Sequence, residues 1–203
     1  MSADIRVPGT TRRELLLRGA LGAASASGMA AVGPFVAQAL GQSGRIDVEI
    51  VQFALLLEQL EADYYRRALR EVPDLSPPVR QLAREIATNE AQHVETLSQL
   101  AVQLSATPDE PPRFEFGDAL RSERAFLGLA QTLEDTGVSA YNGAAPLVEQ
   151  DDILDAAGQI VQVEARHAAL IRFERGEDIT PGAFDKALSM SQIRGLAGPY
   201  IRP

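Results

Sequence analysis

The segment IATNEAQHVETL at residues 86–97 carries the pattern that decides the fold, and IVQVEARHAALI at residues 160–171 repeats it. In each segment Glu and His stand three residues apart among apolar residues at helical spacing, so both fall on the apolar face of a helix. The chain has two histidines, and both carry this glutamate. Because an unpaired charge in a core costs several kcal/mol, the pattern requires something that compensates these side chains.

Two further carboxylates occupy comparable positions on other helical stripes. Glu58 lies on the apolar stripe from Val51 to Leu69, and Glu134 lies on the stripe from Leu127 to Tyr141. Each of these two glutamates follows a leucine and precedes a tyrosine by seven residues. The chain therefore contains a weak internal repeat of two helix pairs built on the same plan.

If the four stripes face one axis, four carboxylates and two imidazoles share one core with no Lys or Arg on the stripes. Two divalent ions would balance the four negative charges, and carboxylate-rich ligation with one imidazole per ion suits iron or manganese. The sequence thus predicts two Fe or Mn ions per chain. The predicted ligands are Glu58, Glu90, His93, Glu134, Glu164 and His167.

Three neighbouring residues leave alternatives open. Glu61 lies one turn from Glu58 and could replace or supplement it as a ligand. Tyr65 and Tyr141 either donate hydrogen bonds to ligand carboxylates or are core aromatics with satisfied hydroxyls.

The periodicity and the helix-breaking residues predict an all-α four-helix bundle. Its helices would run from about Asp47 to Arg70, from the N-cap Ser76 to Leu104, from Asp118 to Ala145 and from Asp151 to Arg175. Residues 105–117, rich in proline, are long enough to form a crossover between the second and third helices. The bundle domain is therefore predicted over residues 40–175.

The C-terminal tail, residues 176–203, is interrupted by glycine and proline, and no clear fifth helix is predicted in it. Its apolar residues predict that it packs on the bundle. These residues are Phe184, Leu188, Ile193 and Leu196.

Residues 1–39 differ from the rest of the chain and predict an export signal. Thr11–Leu17 contains Arg12-Arg13 and resembles the twin-arginine motif, and Ala37-Gln38-Ala39 has the small residues of a cleavage site. The alternative is an N-terminal tail that is never cleaved. The signal predicts the twin-arginine export machinery as a partner, a periplasmic or secreted product beginning near Leu40, and no stable membrane span after cleavage.

Composition excludes several classes of site. The chain has no cysteine, which rules out disulfides, thiolate metal sites and a cysteine nucleophile. Its net charge of −9 argues against nucleic-acid binding, because there is no basic stripe for phosphates.

The ligand pattern resembles the ferritin-like superfamily of di-iron and di-manganese carboxylate bundles, over about residues 47–175. The resemblance implies that Glu58 and Glu134 are terminal ligands, that Glu90 and Glu164 bridge, and that each ion has one imidazole. The twin-arginine-like signal, the run Leu57–Tyr65 and Ala183-Phe184-Asp185 resemble the exported ferritin-like domain group, which includes plant desiccation-related proteins.

Relatives in the superfamily include oxidases, peroxidases, catalases and iron-storage shells. The resemblance therefore implies small oxidants, O₂ or peroxide, as reactants and a role in protecting the envelope from oxidative stress. Alternatives are a non-enzymatic, desiccation-related structural protein stabilised by its metals, or metal storage. A storage shell is disfavoured by the export signal and the lack of a predicted fifth helix. The sequence leaves open whether the protein is an enzyme and whether it is a homo-oligomer.

Overall fold

The computed structural model describes residues 32–202, with side chains from residue 44 onward. The chain divides into two units, residues 1–42 and 43–203, and the packing described below concerns the second. The predicted Arg12-Arg13 motif lies outside the described residues, and the side chains of the predicted cleavage site, Ala37–Ala39, are also outside the description.

Over residues 32–202 the fold is all-α, as predicted, with four long helices and a short fifth one. The helices are α1 (Val32–Glu71), α2 (Pro77–Gln103), α3 (Glu123–Ala144), α4 (Asp151–Arg175) and α5 (Met190–Ala197). Short 3₁₀ turns lie at Gly117–Leu120, Ala145–Leu147 and Gly198–Tyr200. Within residues 32–202, no helix is both long and apolar enough to cross a bilayer.

The bounds of α2 and α4 agree with the sequence prediction. Ser76 is the N-cap residue of α2 and Pro77 begins the helix, where proline lacks only an N–H that has no helical partner. α4 ends at Gly176, which adopts a left-handed φ of 70°.

The predicted start of the first helix at Asp47 is wrong, since α1 is already helical from Val32. Asp47 is fully buried, and its carboxylate accepts hydrogen bonds from the backbone N–H groups of Glu149 and Gln150 at 2.9 and 3.0 Å. These groups immediately precede α4. The residue therefore stabilises the start of another helix, a pairing that local sequence does not encode.

The predicted start of the third helix at Asp118 is also wrong. Gly117–Leu120 forms a separate 3₁₀ turn, and α3 begins only at Glu123. Ser122 is the N-cap of α3. Its backbone is extended, and its side chain accepts a hydrogen bond from the N–H of Ala125 at 3.2 Å.

The crossover and the tail meet in a two-residue ladder that the sequence does not predict. Strands β1 (Arg113–Phe114) and β2 (Ile201–Arg202) pair antiparallel, with Phe114 opposite Ile201. The contact attaches the end of the chain to the segment that links α2 and α3.

The tail also forms α5, which the sequence does not predict. Ser189 and Gln192 make a reciprocal capping box at its start, and Ile193 is fully buried in the core. Phe184 is 95% exposed and Leu196 is 45% exposed, so these two residues do not pack on the bundle as expected.

The apolar core lies in two clusters, one on either side of the buried side chains of the six predicted ligands, which we call the polar layer. One cluster includes Tyr64, Phe126 and Ile171, and the other includes Leu55, Leu97 and Ile160. On each of the four helices, most residues of the two clusters lie on opposite sides of the predicted ligands in sequence. The polar layer is therefore enclosed by apolar side chains along the bundle axis.

The tail lies so close to α3 that Gly143 has no room for a side chain. A Cβ there would stand 1.9 Å from the carbonyl oxygen of Leu188. The N–H of Leu188 donates to the carbonyl of Ser139 at 3.0 Å, which fixes the segment in this position.

We expect Gly143→Ala to displace this segment and to lower the free energy of unfolding by about 1–3 kcal/mol, the usual cost of overpacking. Gly158→Ala is the matched control, because a Cβ at this helical position meets nothing within 4 Å and alanine favours helix by up to about 1 kcal/mol. Urea denaturation measures both variants. Equal stability of the Gly143→Ala variant and the unmodified protein would contradict the close approach.

Candidate metal centre

The structure brings all six predicted ligands together in the core. None of them is more than 8% exposed, and the four glutamates are at most 1% exposed. One glutamate comes from α1, one from α3, and a Glu-x-x-His pair comes from each of α2 and α4. The residues are Glu58, Glu90, His93, Glu134, Glu164 and His167.

These side chains form two overlapping groups, and in each group one ligand atom per residue lies within 4.8 Å of the others. The first group consists of Glu58, Glu90, His93 and Glu164. The second consists of Glu90, Glu134, Glu164 and His167. Each group has a glutamate and a histidine of its own, and Glu90 and Glu164 belong to both. The arrangement can hold two ions that share two carboxylates.

The two imidazoles direct Nδ1 into this cluster. The Nδ1 atom of His93 lies 3.0 Å from Glu58 Oε2 and 3.1 Å from Glu164 Oε1. The Nδ1 atom of His167 lies 3.1 Å from Glu90 Oε1 and 3.3 Å from Glu134 Oε2. Both rings therefore present the same nitrogen to the carboxylates, as two equivalent ligands would.

Two tyrosines hold the unshared carboxylates across the bundle. The hydroxyl of Tyr141 on α3 donates to Glu58 Oε1 on α1 at 2.6 Å. The hydroxyl of Tyr65 on α1 donates to Glu134 Oε1 on α3. Each tyrosine thus holds the glutamate of the other helix pair. Of the two alternatives for Tyr65 and Tyr141, the structure shows the hydrogen bond to a carboxylate of the site.

Glu61 reaches the same interior but belongs to neither group. It is 2% exposed, and its Oε2 has no hydrogen-bond partner among the described residues. Gly137, its repeat counterpart, leaves the necessary space, because a Cβ there would lie 3.2 Å from Glu164 Oε2 and 3.6 Å from Glu61 Oε1. The core therefore contains five carboxylates, and the fifth is present in one half only.

Asn89 is a residue of the site that sequence reasoning missed. Its side-chain amide nitrogen lies 3.0 Å from Nε2 of His167, on the outer edge of the ring. The residue directly precedes Glu90, and a polar side chain next to a helical motif gives no signal of its own.

Burial governs the protonation of the metal-free cluster. It raises the pKa of Glu90, Glu164 and Glu61 well above the usual value, and the neighbouring carboxylates add to this effect. Burial likewise raises the pKa of Glu134 to about 8, although hydrogen bonds from Tyr65 and Glu164 act against it.

One ion pair remains in the metal-free cluster. Burial acts to raise the pKa of Glu58, but hydrogen bonds from His93, Glu90 and Tyr141 outweigh it and leave the pKa lowered. Burial opposes protonation of His93, yet hydrogen bonds to Glu164 and Glu58 raise its pKa to about 10. Burial lowers the pKa of His167. In the metal-free protein, bound protons therefore neutralise the buried carboxylates, as bound cations would.

The atoms left without hydrogen bonds indicate where cations fit. An unsatisfied buried group costs about 1–3 kcal/mol or more. Among the described residues, several fully buried ligand atoms lack a partner in good hydrogen-bond geometry, even where another polar atom lies 3.1–3.3 Å away. These atoms are Glu90 Oε1, Glu134 Oε2, both Oε atoms of Glu164 and His167 Nδ1. All of them belong to the two groups, so the residues present fit a pair of divalent ions.

A cavity of about 320 Å³ leads from the surface to the histidine edge of the site, between α2 and α4. Its lining includes His93, His167, Asn89 and Gln92. A small molecule or an ion can approach the cluster through it, whereas apolar clusters close the bundle axis in both directions.

The family described as the ferritin-like domain, Ferritin_2, matches residues 46–177. Among solved structures, the chain is similar to the crystal structure of a conserved hypothetical protein, rv2844, from Mycobacterium tuberculosis, with 17% sequence identity and a TM-score of 0.59. The likeness covers 70% of this chain and 99% of that chain, and at this identity it concerns the fold alone. No curated protein matches the chain.

We expect the metal-free protein to lose stability as the pH rises from about 5 to 8. The folded state holds protons on Glu134 (pKa about 8) and on His93 (pKa about 10) that the unfolded chain, with ordinary pKa values of 4.5 and 6.5, releases earlier. The thermal midpoint should fall by about 5 °C or more across this range. Glu58 and His167 have the opposite sign. The contribution of Glu58 is lost only below about pH 4.5, whereas the lowered pKa of His167 destabilises the fold below about pH 6.5 and opposes the decline at the acid end of the range.

Glu134→Gln is the control for this titration, because it keeps the shape and removes one titrating group, so its midpoint should fall less steeply. Calorimetric scans of both proteins after chelation measure the effect. A midpoint that is constant or rises over this range would contradict the protonated cluster.

Proposed function

Because the chain belongs to the family of ferritin-like domains, we propose that it binds a dinuclear iron or manganese centre that reacts with O₂ or peroxide. The observation that carries the proposal is the pair of buried Glu/His groups that share Glu90 and Glu164. In this proposal the two ions would share Glu90 and Glu164, and Glu58 with His93 and Glu134 with His167 would complete the two positions.

Charge supports two divalent ions. The four ligand carboxylates carry four negative charges when ionised, which two divalent cations balance. Bound ions replace the protons that the buried carboxyls otherwise hold, so the affinity should increase with pH. Oxygen and imidazole donors in this proportion suit iron and manganese.

When bound, such a pair of ions supplies reversible one- or two-electron redox chemistry toward O₂ or peroxide. The chain itself contributes orientation and enclosure. Tyr65 and Tyr141 hold Glu134 and Glu58 in position from opposite halves of the bundle. The apolar clusters keep water from the bundle axis, and the cavity beside His93 and His167 admits molecules of the size of peroxide.

We expect the purified protein, loaded with Fe or Mn, to contain about two ions per chain and to consume peroxide or O₂. The double variant His93→Ala/His167→Ala should lose both the metal and the turnover, because each position loses its imidazole. Elemental analysis and an oxygen-electrode assay measure the two properties. Gln99→Ala/Gln162→Ala, which alters exposed residues on the same two helices, should leave both unchanged.

The outcomes separate the candidate functions. Fewer than about one ion per chain after loading would exclude the dinuclear centre. Two ions that stabilise the fold without turnover indicate a structural, desiccation-related role. Many more than two ions per chain indicate storage.

We also propose that residues 1–39 direct the metal-loaded protein through the twin-arginine pathway to the periplasm or the exterior. Export of a folded protein would allow the centre to be loaded in the cytoplasm, away from competing ions. The support is the Arg12-Arg13 motif with the cleavage-type sequence Ala37–Ala39.

Arg12→Lys/Arg13→Lys should leave the metal-loaded protein in the cytoplasm, as measured by fractionation and immunoblotting. Arg6→Lys/Arg18→Lys keeps the same charge and should be exported normally. Normal export of the first variant would overturn this proposal without affecting the metal centre.

A further inference from the structure

The two halves of the site differ on the outer edge of their histidines. His167 Nε2 has Asn89 at 3.0 Å, whereas His93 makes no hydrogen bond through Nε2 to any described residue. In the repeat, Glu90 corresponds to Glu164, so the counterpart of Asn89 is Val163. Valine offers neither a donor nor an acceptor. Among the described residues, a side-chain partner for the outer nitrogen, Nε2, is therefore present at His167 and not at His93.

An amide suits both states of His167. With the ring proton of His167 on Nδ1, the NH₂ group of Asn89, 3.0 Å away, donates to the bare Nε2. A metal on Nδ1 moves the ring proton to Nε2, which then needs an acceptor. Rotation of the amide by half a turn presents its oxygen, so the same residue serves the bound ring.

His93 is more exposed to solvent than His167. It is 8% exposed, against 3% for His167, and it lines the cavity between α2 and α4. Val163 lines this cavity as well and is half-buried, as Asn89 is. An asparagine in place of Val163 would therefore stand where Asn89 stands in the other half.

We infer that Asn89 makes the two metal positions unequal, so that the Glu134–His167 position binds a divalent ion more tightly and fills first. Asn89 is a positioning residue, since it acts on the ion through His167. Partners of this kind change metal affinity by about 10- to 100-fold. The inference rests on the proposed dinuclear site and concerns the order in which its positions are filled.

The test is a titration of the metal-free full chain with Co²⁺, followed by calorimetry and by the visible absorption of the bound ion. We expect two steps that differ by about 10- to 100-fold in affinity. His167→Ala should abolish the tighter step, and His93→Ala should abolish the weaker one. These two variants identify which position each step represents.

Asn89→Val should weaken the tighter step by about 10-fold or more, and Val163→Asn should strengthen the weaker one. The double variant Asn89→Val/Val163→Asn should reverse the order of filling. Asn89→Asp, which keeps an acceptor for Nε2–H, should retain tight binding. The thermal midpoint of metal-free Asn89→Val should stay close to that of the unmodified protein, which separates positioning from general damage.

Two equal steps that Asn89→Val leaves unchanged would overturn the inference and leave the dinuclear site standing. A first step that survives in His167→Ala would also overturn it. Binding of fewer than two ions per chain would overturn both the inference and the proposed function.

Discussion

The structure depends on one electrostatic constraint, the burial of acidic side chains in the middle of the bundle, with no Lys or Arg among the buried residues that the structure describes. Five carboxyls and two imidazoles lie there at 8% exposure or less. Such a layer is tolerable only if protons or cations neutralise it, and in both cases the groups must lie close together. The four long helices hold these groups around one axis, and the hydrogen bonds of Tyr65 and Tyr141 join α1 to α3 across it.

Much of the site follows from the sequence because its signal is local. A Glu-x-x-His pair on an apolar stripe is visible within two helical turns, and its repetition assigns the second pair without any structure. The bounds of α4 are equally local, since Asp151 begins it and Gly176 ends it. The predicted all-α bundle and its ferritin-like character are confirmed.

The features that sequence reasoning missed depend on contacts between distant segments. Asp47 resembles a cap for its own helix, but its carboxylate accepts from backbone groups that precede α4. Asn89 is an ordinary helical residue until the fold sets it against His167. Phe184 is an aromatic residue typical of a core, yet 95% of it is exposed among the described residues. For Asp47 and Asn89 the deciding partner lies far away in the sequence, and for Phe184 the arrangement of the whole tail decides the exposure.

The route to the centre has a consequence for rates. Because apolar side chains of the described residues close the bundle along its axis, the cavity at the histidine edge between α2 and α4 offers an ion a sideways route. Departure of an ion along this route would require that protons return to the carboxylates of the polar layer as the ion leaves. In the proposed metal centre, retention of an ion would depend on its rate of exchange through this cavity, and an ion present when the helices first close would have an advantage over one that binds more tightly but arrives later.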